Sequence, residues 1–424
     1  MSEQTSSKNS LRVSVLVDLI HRPDAGGHVK AWERLAAAAS GVAGLDLTVH
    51  FAGEEPALRR LADNVRYRLH RPAFSTARLP FLSHVPDHAD LAPHHPSLAR
   101  HLEDADLIHT TDAYFAFAHT AERSARRRGV ALTNSVHTDT PRYTRLFTAQ
   151  TIERFCGGAR LGRLLGERFD LPGRMEARMR RRLLDHQRLC SAALVSRRDE
   201  LPPLARALGP GRVTLLRRGI DRDLFSPARR DRRWLETAFG VPAESLLVLF
   251  VGRIDRGKNI HTLADAVDAL GRAGRSLHLF CAGEGADRPA VAERLGPAAT
   301  CPGTLLPADL ARVYAAADVV AHPSEIEESS NVVLEALASG RPLVTSAAVA
   351  AGSGVVDGET GLVAAAAPAD WSAALERLAA DAVLRDRLGR EGRRWIESTV
   401  PTWRDVLEQD LLPVWRDAQA RARP

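Results

Sequence analysis

Four cysteines in 424 residues are few, and Cys156, Cys190, Cys281 and Cys301 share no spacing that suits a metal. They form neither a disulfide framework nor a zinc motif, and read as reduced, mostly buried thiols of a cytoplasmic protein. No apolar run reaches 18 residues, so no segment is expected to span a membrane. Residues 1–10 are polar and lack the apolar core of a signal peptide. No repeat of solenoid length occurs. The P-loop spacing of glycine, lysine and hydroxyl is missing, and so is the dinucleotide fingerprint of three spaced glycines. No zinc finger, RNA-binding aromatic motif or basic helix-turn-helix supports a nucleic-acid partner. The formal net charge of +6 comes from arginines spread along the chain, which permits an anionic partner without naming one.

What is present is enough chain for two domains, with 45% apolar residues to fill their cores. Short apolar runs rich in branched residues alternate with helical periodicity, the pattern of a doubly wound α/β sheet. Strands are expected at 11–19, 45–51, 105–109, 131–137, 192–196 and 213–216. In the second half they are expected at 248–251, at the start of 277–285, and at 318–322 and 343–346. Residues 151–186 read as basic helix, broken at Gly157-Gly158 and at Leu171-Pro172-Gly173. Residues 371–388 read as a helix stopped by Gly389. At 403–415, Trp403, Leu407, Leu411 and Trp415 recur on one helical face. The histidines between Leu69 and His109 lie among prolines and read as structural or solvated rather than as a metal site.

The chemistry concentrates between Val248 and Ser346. Val248-Leu249-Phe250-Val251 ends at Gly252, and Arg253 and Lys258 follow around Gly257. Ligands of open parallel sheets bind beyond the carboxyl ends of the strands, and a diphosphate there calls for fixed donors and positive charge. Asn259 leads into a helix with Ile260, Leu263, Ala264, Val267 and Leu270 on one face. The strand 318–322 ends at Pro323, and a helix over 332–338 is stopped by Gly340. Glu327 falls in the loop between them and Glu335 in the helix, about 12 Å apart if the helix were continuous. That suits two ends of one long ligand better than one metal. Ser329, Ser330 and Asn331 fall where the helix begins, and its free amides favour an anionic oxygen.

These motifs resemble the retaining glycosyltransferases of family 4, densest from Gly252 to Gly340 and running over nearly the whole chain. The resemblance implies the α/β GT-B fold: two Rossmann-like doubly wound domains facing across a cleft, with a C-terminal helix crossing back to the first domain. The expected divisions are a tail at 1–10, an acceptor-side domain at 11–225, a nucleotide-sugar domain at 226–400, and the returning helix at 401–424. It implies that Arg253 and Lys258 meet the donor phosphates, that Glu327 faces hydroxyls of the donor sugar, and that Glu335 holds the ribose. It places Gly26 and Gly27 against the donor phosphate and the acceptor, Gly283 and Gly285 beside the nucleotide base, and His137 on the donor sugar. Where the family often has Gly-Phe-Gly after the first glutamate, this chain has Glu328-Ser329-Ser330, whose serines still offer backbone amides. His137-Thr138-Asp139-Thr140-Pro141-Arg142-Tyr143 is most similar to members that glycosylate lipids.

The expectation is therefore a retaining, metal-independent hexosyltransferase using a UDP- or GDP-sugar, with no cofactor. Its acceptor is a carbohydrate or a lipid. A lipid acceptor would bring an anionic membrane surface as partner through the basic, partly apolar segment 161–182, at the inner face of the membrane. Two rivals stay open: a nucleotide-sugar-binding protein without catalysis, suggested by Glu328-Ser329-Ser330, and a nucleotide-sugar epimerase.

Overall fold

A computed structural model describes residues 10–23, 25–79, 90–156, 168–325 and 331–422. The chain divides into two units, Met1–Arg217 with Arg404–Pro424, and Arg218–Trp403. Each is an α/β unit built on a sheet.

In the first unit the described residues form an eight-stranded sheet in the order β3-β4-β2-β1-β5-β6-β7-β8. The strands are β1 (Leu11–Ile20), β2 (Leu45–Ala52), β3 (Ala57–Ala62), β4 (Val65–His70), β5 (Leu107–Thr110), β6 (Ala131–Ser135), β7 (Ala192–Val195) and β8 (Val213–Leu215). All neighbours run parallel except β3 with β4. The central strands β5 and β6 are buried along their whole length, as in a sheet covered on both sides. Leu16, Ile108 and Leu132 pack with Phe117 and Ala121 of the helix Ala116–Arg128.

The hairpin β3–β4 has no counterpart among the expected strands. Arg59, Arg60, Arg66 and Arg68 dilute its alternation, and Asn64 anchors its turn by donating to the carbonyls of Ala39, Val42 and Leu45. Leu171-Pro172-Gly173, expected to interrupt a helix, begins the helix Leu171–Leu189 instead. The Asp170 carboxylate accepts from the Gly173 amide, and proline in a first turn gives up no hydrogen bond. The expected break at Gly157-Gly158 lies outside the described residues.

In the second unit the described residues form six parallel strands in the order β11-β10-β9-β12-β13-β14. They are β9 (Leu246–Val251), β10 (Leu277–Ala282), β11 (Ala299–Gly303), β12 (Val319–His322), β13 (Leu343–Ser346) and β14 (Leu362–Ala364). The helix Ile260–Arg272 buries the face read from its sequence, Ile260, Leu263, Ala264, Val267 and Leu270. Burying a leucine-sized side chain contributes roughly 1.5–3 kcal/mol, so this face alone fixes the helix on the sheet.

Three expectations are corrected here. Residues 218–225 group with the second unit: Ile220 and Phe225 sit in its core, and the Ile220 amide donates to the Pro401 carbonyl at 3.0 Å. Residues 371–388 are two helices, Pro368–Ala380 and Ala382–Thr399, because Asp381 caps the second through the Leu384 amide. Gly389 does not stop a helix but lies inside it, where a Cβ would come within 2.3 Å of the Gly340 carbonyl oxygen. A helix–backbone contact that close admits only glycine. Cys281 and Cys301, distant in sequence, are brought onto the neighbouring strands β10 and β11.

The last stretch returns to the first unit. Leu407, Leu411 and Trp415 are buried as their spacing predicts, whereas Trp403 belongs with the second unit. Arg217 clamps Asp410, with Nη2 to Oδ1 at 2.7 Å.

Candidate functional site

Strand order decides where ligands can sit. In the second unit the chain steps from β9 to β10 and β11 on one side, then crosses to β12 on the other. The carboxyl ends of β9 and β12 therefore flank a topological switch point, the place where open α/β sheets hold ligands. Arg253 and Lys258 follow β9, and Asn331 and Glu335 follow β12.

The turn after β9 is built tightly. Asp255 organises it: one carboxylate oxygen accepts from the Lys258 amide at 3.0 Å, and the other lies 3.2 Å from Arg253 Nε. The cap thus uses the backbone amide of Lys258. The loop after β10 interlocks with this turn. The Ile254 amide donates to the Glu284 carbonyl at 2.9 Å, and the Asp287 amide to the Ile254 carbonyl at 3.0 Å. A Cβ on Gly283, whose φ is +147°, would fall 2.0 Å from the Gly252 carbonyl oxygen, and one on Gly285 would fall 2.2 Å from that of Ile254. Packing of two backbones thus accounts for both glycines.

The helix Asn331–Ala338 follows β12, with Glu335 buried in it. Arg218 Nε donates to Asn331 Oδ1 at 2.9 Å and its guanidinium lies 5.8 Å from the Trp403 ring centroid. Arg218 is a third cation at this site. No motif in the sequence marks Arg218, whereas Asp255, three residues before Lys258, stands where a capping residue would. Glu327, Ser329 and Ser330 lie outside the described residues.

In the first unit the switch point falls between β1 and β5. His137 follows β6 and is buried. Its Nε2 accepts from the Trp32 indole at 3.2 Å and lies 2.7 Å from Ser135 Oγ, and His28 stacks on its ring at 4.6 Å. His28 and Trp32 belong to the helix Gly27–Ala39, which Gly26 precedes as its N-cap. An added Cβ at Gly26 would meet nothing within 4 Å, so the fold itself makes no demand for glycine there. Asp18, buried near the end of β1, and Asp112, half-buried after β5, also stand at this point; burial, reinforced by Asp112, pushes the Asp18 carboxyl well above the usual range. Neither was singled out in the sequence.

The histidines read as structural are largely that. His50 and His70 pair at 2.9 Å, and burial lowers the pKa of His70 to about 3. His84 and His88 lie outside the described residues. Among the described residues no group of three or more His, Cys, Asp or Glu side chains is placed to hold a metal, and no helix is long and apolar enough to cross a membrane.

The two units define the GT-B fold, with the C-terminal helix returning to the first unit as expected. Residues 245–381 match the family model described as Glycosyl transferases group 1. A D-inositol 3-phosphate glycosyltransferase of Salinispora arenicola is 34% identical over 236 residues, 51% of this chain and 52% of that protein. The chain spans about half the length of the curated relatives it matches. Two solved structures are similar over nearly their whole length. Sucrose-phosphate synthase from Thermosynechococcus elongatus has a TM-score of 0.69 at 19% identity, over 97% of this chain and 100% of that one. Anabaena HepE in complex with UDP-glucose has a TM-score of 0.64 at 15% identity, over 97% and 100%.

Proposed function

We propose that the protein is a retaining glycosyltransferase that moves a hexose from a nucleoside-diphosphate sugar to an acceptor hydroxyl. One observation carries the reading: Arg253 and Lys258 on one side, and the Asn331–Ala338 helix with Glu335 on the other, stand at the carboxyl ends of adjacent strands at a switch point. Arg253 and Lys258 stabilise the charge that grows on the leaving diphosphate, in place of a metal. Glu335 holds the ribose, Glu327 orients the donor sugar, and His137 meets the sugar near its anomeric carbon. Gly26 and Gly27 give the phosphate and the acceptor room to approach, and the Gly283–Gly285 loop lies beside the base. Ser329, Ser330 and Asn331 supply amides to a phosphate oxygen. The acceptor oxygen attacks the anomeric carbon on the face from which the diphosphate leaves. The departing phosphate oxygen takes the acceptor's proton, so configuration is kept without a carboxylate nucleophile of the glycosidase kind.

The donor is UDP- or GDP-linked, and the UDP-glucose held by the structurally similar HepE favours uridine. The test is incubation with each donor and a polyol-phosphate acceptor in excess chelator. Release of nucleoside diphosphate and a product of unchanged anomeric configuration are expected. An inverted product, or activity that returns only with one divalent ion, would overturn the mechanism.

The two glutamates should fail differently. Glu335→Ala is expected to weaken bare nucleoside diphosphate in calorimetry, because its partner is the ribose. Glu327→Ala should bind the bare diphosphate nearly as wild type and lose use of the full donor. Equal losses in both variants would contradict this division of labour.

For the acceptor, the name of the Salinispora relative favours a soluble polyol phosphate. A second reading, a lipid acceptor at an anionic membrane, rests on one surface. Arg174, Arg178 and Arg181 line a groove of about 740 Å³ with Met175 on the helix Leu171–Leu189. Arg182 also lines this groove but is paired with Glu122, and Arg180 is paired with Glu176. Each cation near a bilayer adds about 1 kcal/mol. Wild type should sediment with anionic liposomes at low salt, less at high salt, and less when the three arginines are changed to serine. No sedimentation at low salt removes the membrane reading.

A further inference from the structure

We infer that Trp415, His109 and Ser135, together with Trp32, are positioning residues that hold His137 as the tautomer with its ring proton on Nδ1. The inference rests on the reading of His137 as the group that meets the donor sugar, and it extends that reading to the returning C-terminal helix.

The direction of each hydrogen bond follows from its ends. An indole N–H donates and never accepts. Trp415 Nε1 lies 3.3 Å from His109 Nδ1, so that nitrogen is an acceptor. Thr133 Oγ1, at 2.8 Å, donates to the same nitrogen. Burial keeps His109 neutral, with a pKa lowered to about 3, so its single ring proton sits on Nε2. That Nε2–H donates to Ser135 Oγ at 2.9 Å. With His109 as its donor, the hydroxyl keeps its own proton for another partner, and it turns that proton to His137 Nε2 at 2.7 Å, which the Trp32 indole requires to be an acceptor. At the other end the Trp32 indole donates to the same His137 nitrogen at 3.2 Å.

Both fixed donors therefore drive one outcome. His137 Nε2 accepts from within the fold, and the proton that a neutral His137 can offer to a sugar hydroxyl is the one on Nδ1. Trp32, His109, Ser135 and Trp415 are all buried, so water does not scramble these directions. His28 stacks face-on at 4.6 Å with an interplanar angle of 14°, which holds the ring plane without engaging the in-plane nitrogens. In a Ser-His-Asp triad the orienting partner of the histidine is a carboxylate; here it is a neutral chain that begins at Trp415.

The test is nitrogen-15 NMR of labelled histidine in the full chain, with the His137 signals assigned by their loss in His137→Gln. Wild type should carry the proton on Nδ1. The double variant Trp32→Phe, Ser135→Ala should move the population toward Nε2–H, and Trp415→Phe should move it part of the way. If Trp415→Phe does not fold, the double variant decides. In transfer assays Ser135→Ala should lose about ten-fold in kcat with the donor KM little changed, and Ser135→Thr, which keeps the hydroxyl, should recover most of it. A wild-type His137 protonated on Nε2, or a tautomer unmoved in the double variant, overturns the inference. So does an unchanged kcat in a variant whose tautomer has moved. A wild-type protein that transfers no sugar would sink the proposed function instead, and the spectra would still decide the relay.

Discussion

Lys258→Ala and Arg253→Ala are expected to lose turnover by about 30-fold to 1000-fold with saturating donor, the equivalent of roughly 2–4 kcal/mol of transition-state stabilisation. Folding should hardly change. The cap that orders the turn uses the Lys258 amide, which alanine keeps. Arg253 is partly exposed beside Asp255, and a pair of that kind contributes about 0–1 kcal/mol. Ground-state affinity for the diphosphate should fall less than kcat, because the charge these cations oppose grows as the bond breaks. Single-turnover rates together with thermal unfolding check both halves. Wild-type turnover in both variants would show that the strand-to-helix turn is not a phosphate site.

The second large effect is one of stability and pH. His186 is buried between Glu122, whose carboxylate lies 2.5 Å from Nδ1, and Thr110, whose hydroxyl lies 2.7 Å from Nε2. Burial alone would push this imidazole down, but the Cys190 sulfur and the Glu122 carboxylate raise its pKa to about 9. A folded-state pKa above the unfolded one stabilises the protein wherever the unfolded chain is also protonated. The stabilisation is therefore full below pH about 6.5 and disappears as pH passes through about 9. At pH 7 it amounts to roughly 2–3 kcal/mol. His186→Gln should be less stable than wild type by that amount near neutrality, and the gap should close as pH rises toward 10. Arg182 stays beside Glu122 in the variant, so no carboxylate is left buried alone. Urea unfolding of both proteins across this range is the measurement, and a gap that stays constant with pH would place the charge elsewhere.

Local signals carried much of the second unit. Branched residues, a glycine turn and a clean apolar helix face lie within one stretch from Leu246 to Arg272, so strand, turn and helix were legible in order, with the cations between them. The same held for the C-terminal face of Leu407, Leu411 and Trp415. What escaped was decided by distant partners. Gly389 reads as a stop until the Gly340 carbonyl is known to press on it. Gly283 and Gly285 read as a ligand loop, yet the backbone of the neighbouring strand end already requires them. Arg218 became part of the site only through Asn331. The residues that position His137, directly or through one another, come from four separate segments, and no spacing in the sequence joins Trp415 to His109. The hairpin β3–β4 was hidden by arginines on an edge that faces water, where alternation is weakest.

The return of the last helix has a bearing on how the protein is made. Residues of the first unit are synthesised both before and after the whole of the second unit. Domains tend to fold as units while the ribosome is still at work. Here the growing chain can complete the second sheet while the groove for Trp415 beside His109 is still empty. The first-made unit is then the last to be finished, and His109 and Ser135 take up their final hydrogen bonds only when the end of the helix arrives. A chain cut short before Trp415 would keep the whole of the second unit and leave uncovered the place beside His109 where Trp415 is buried.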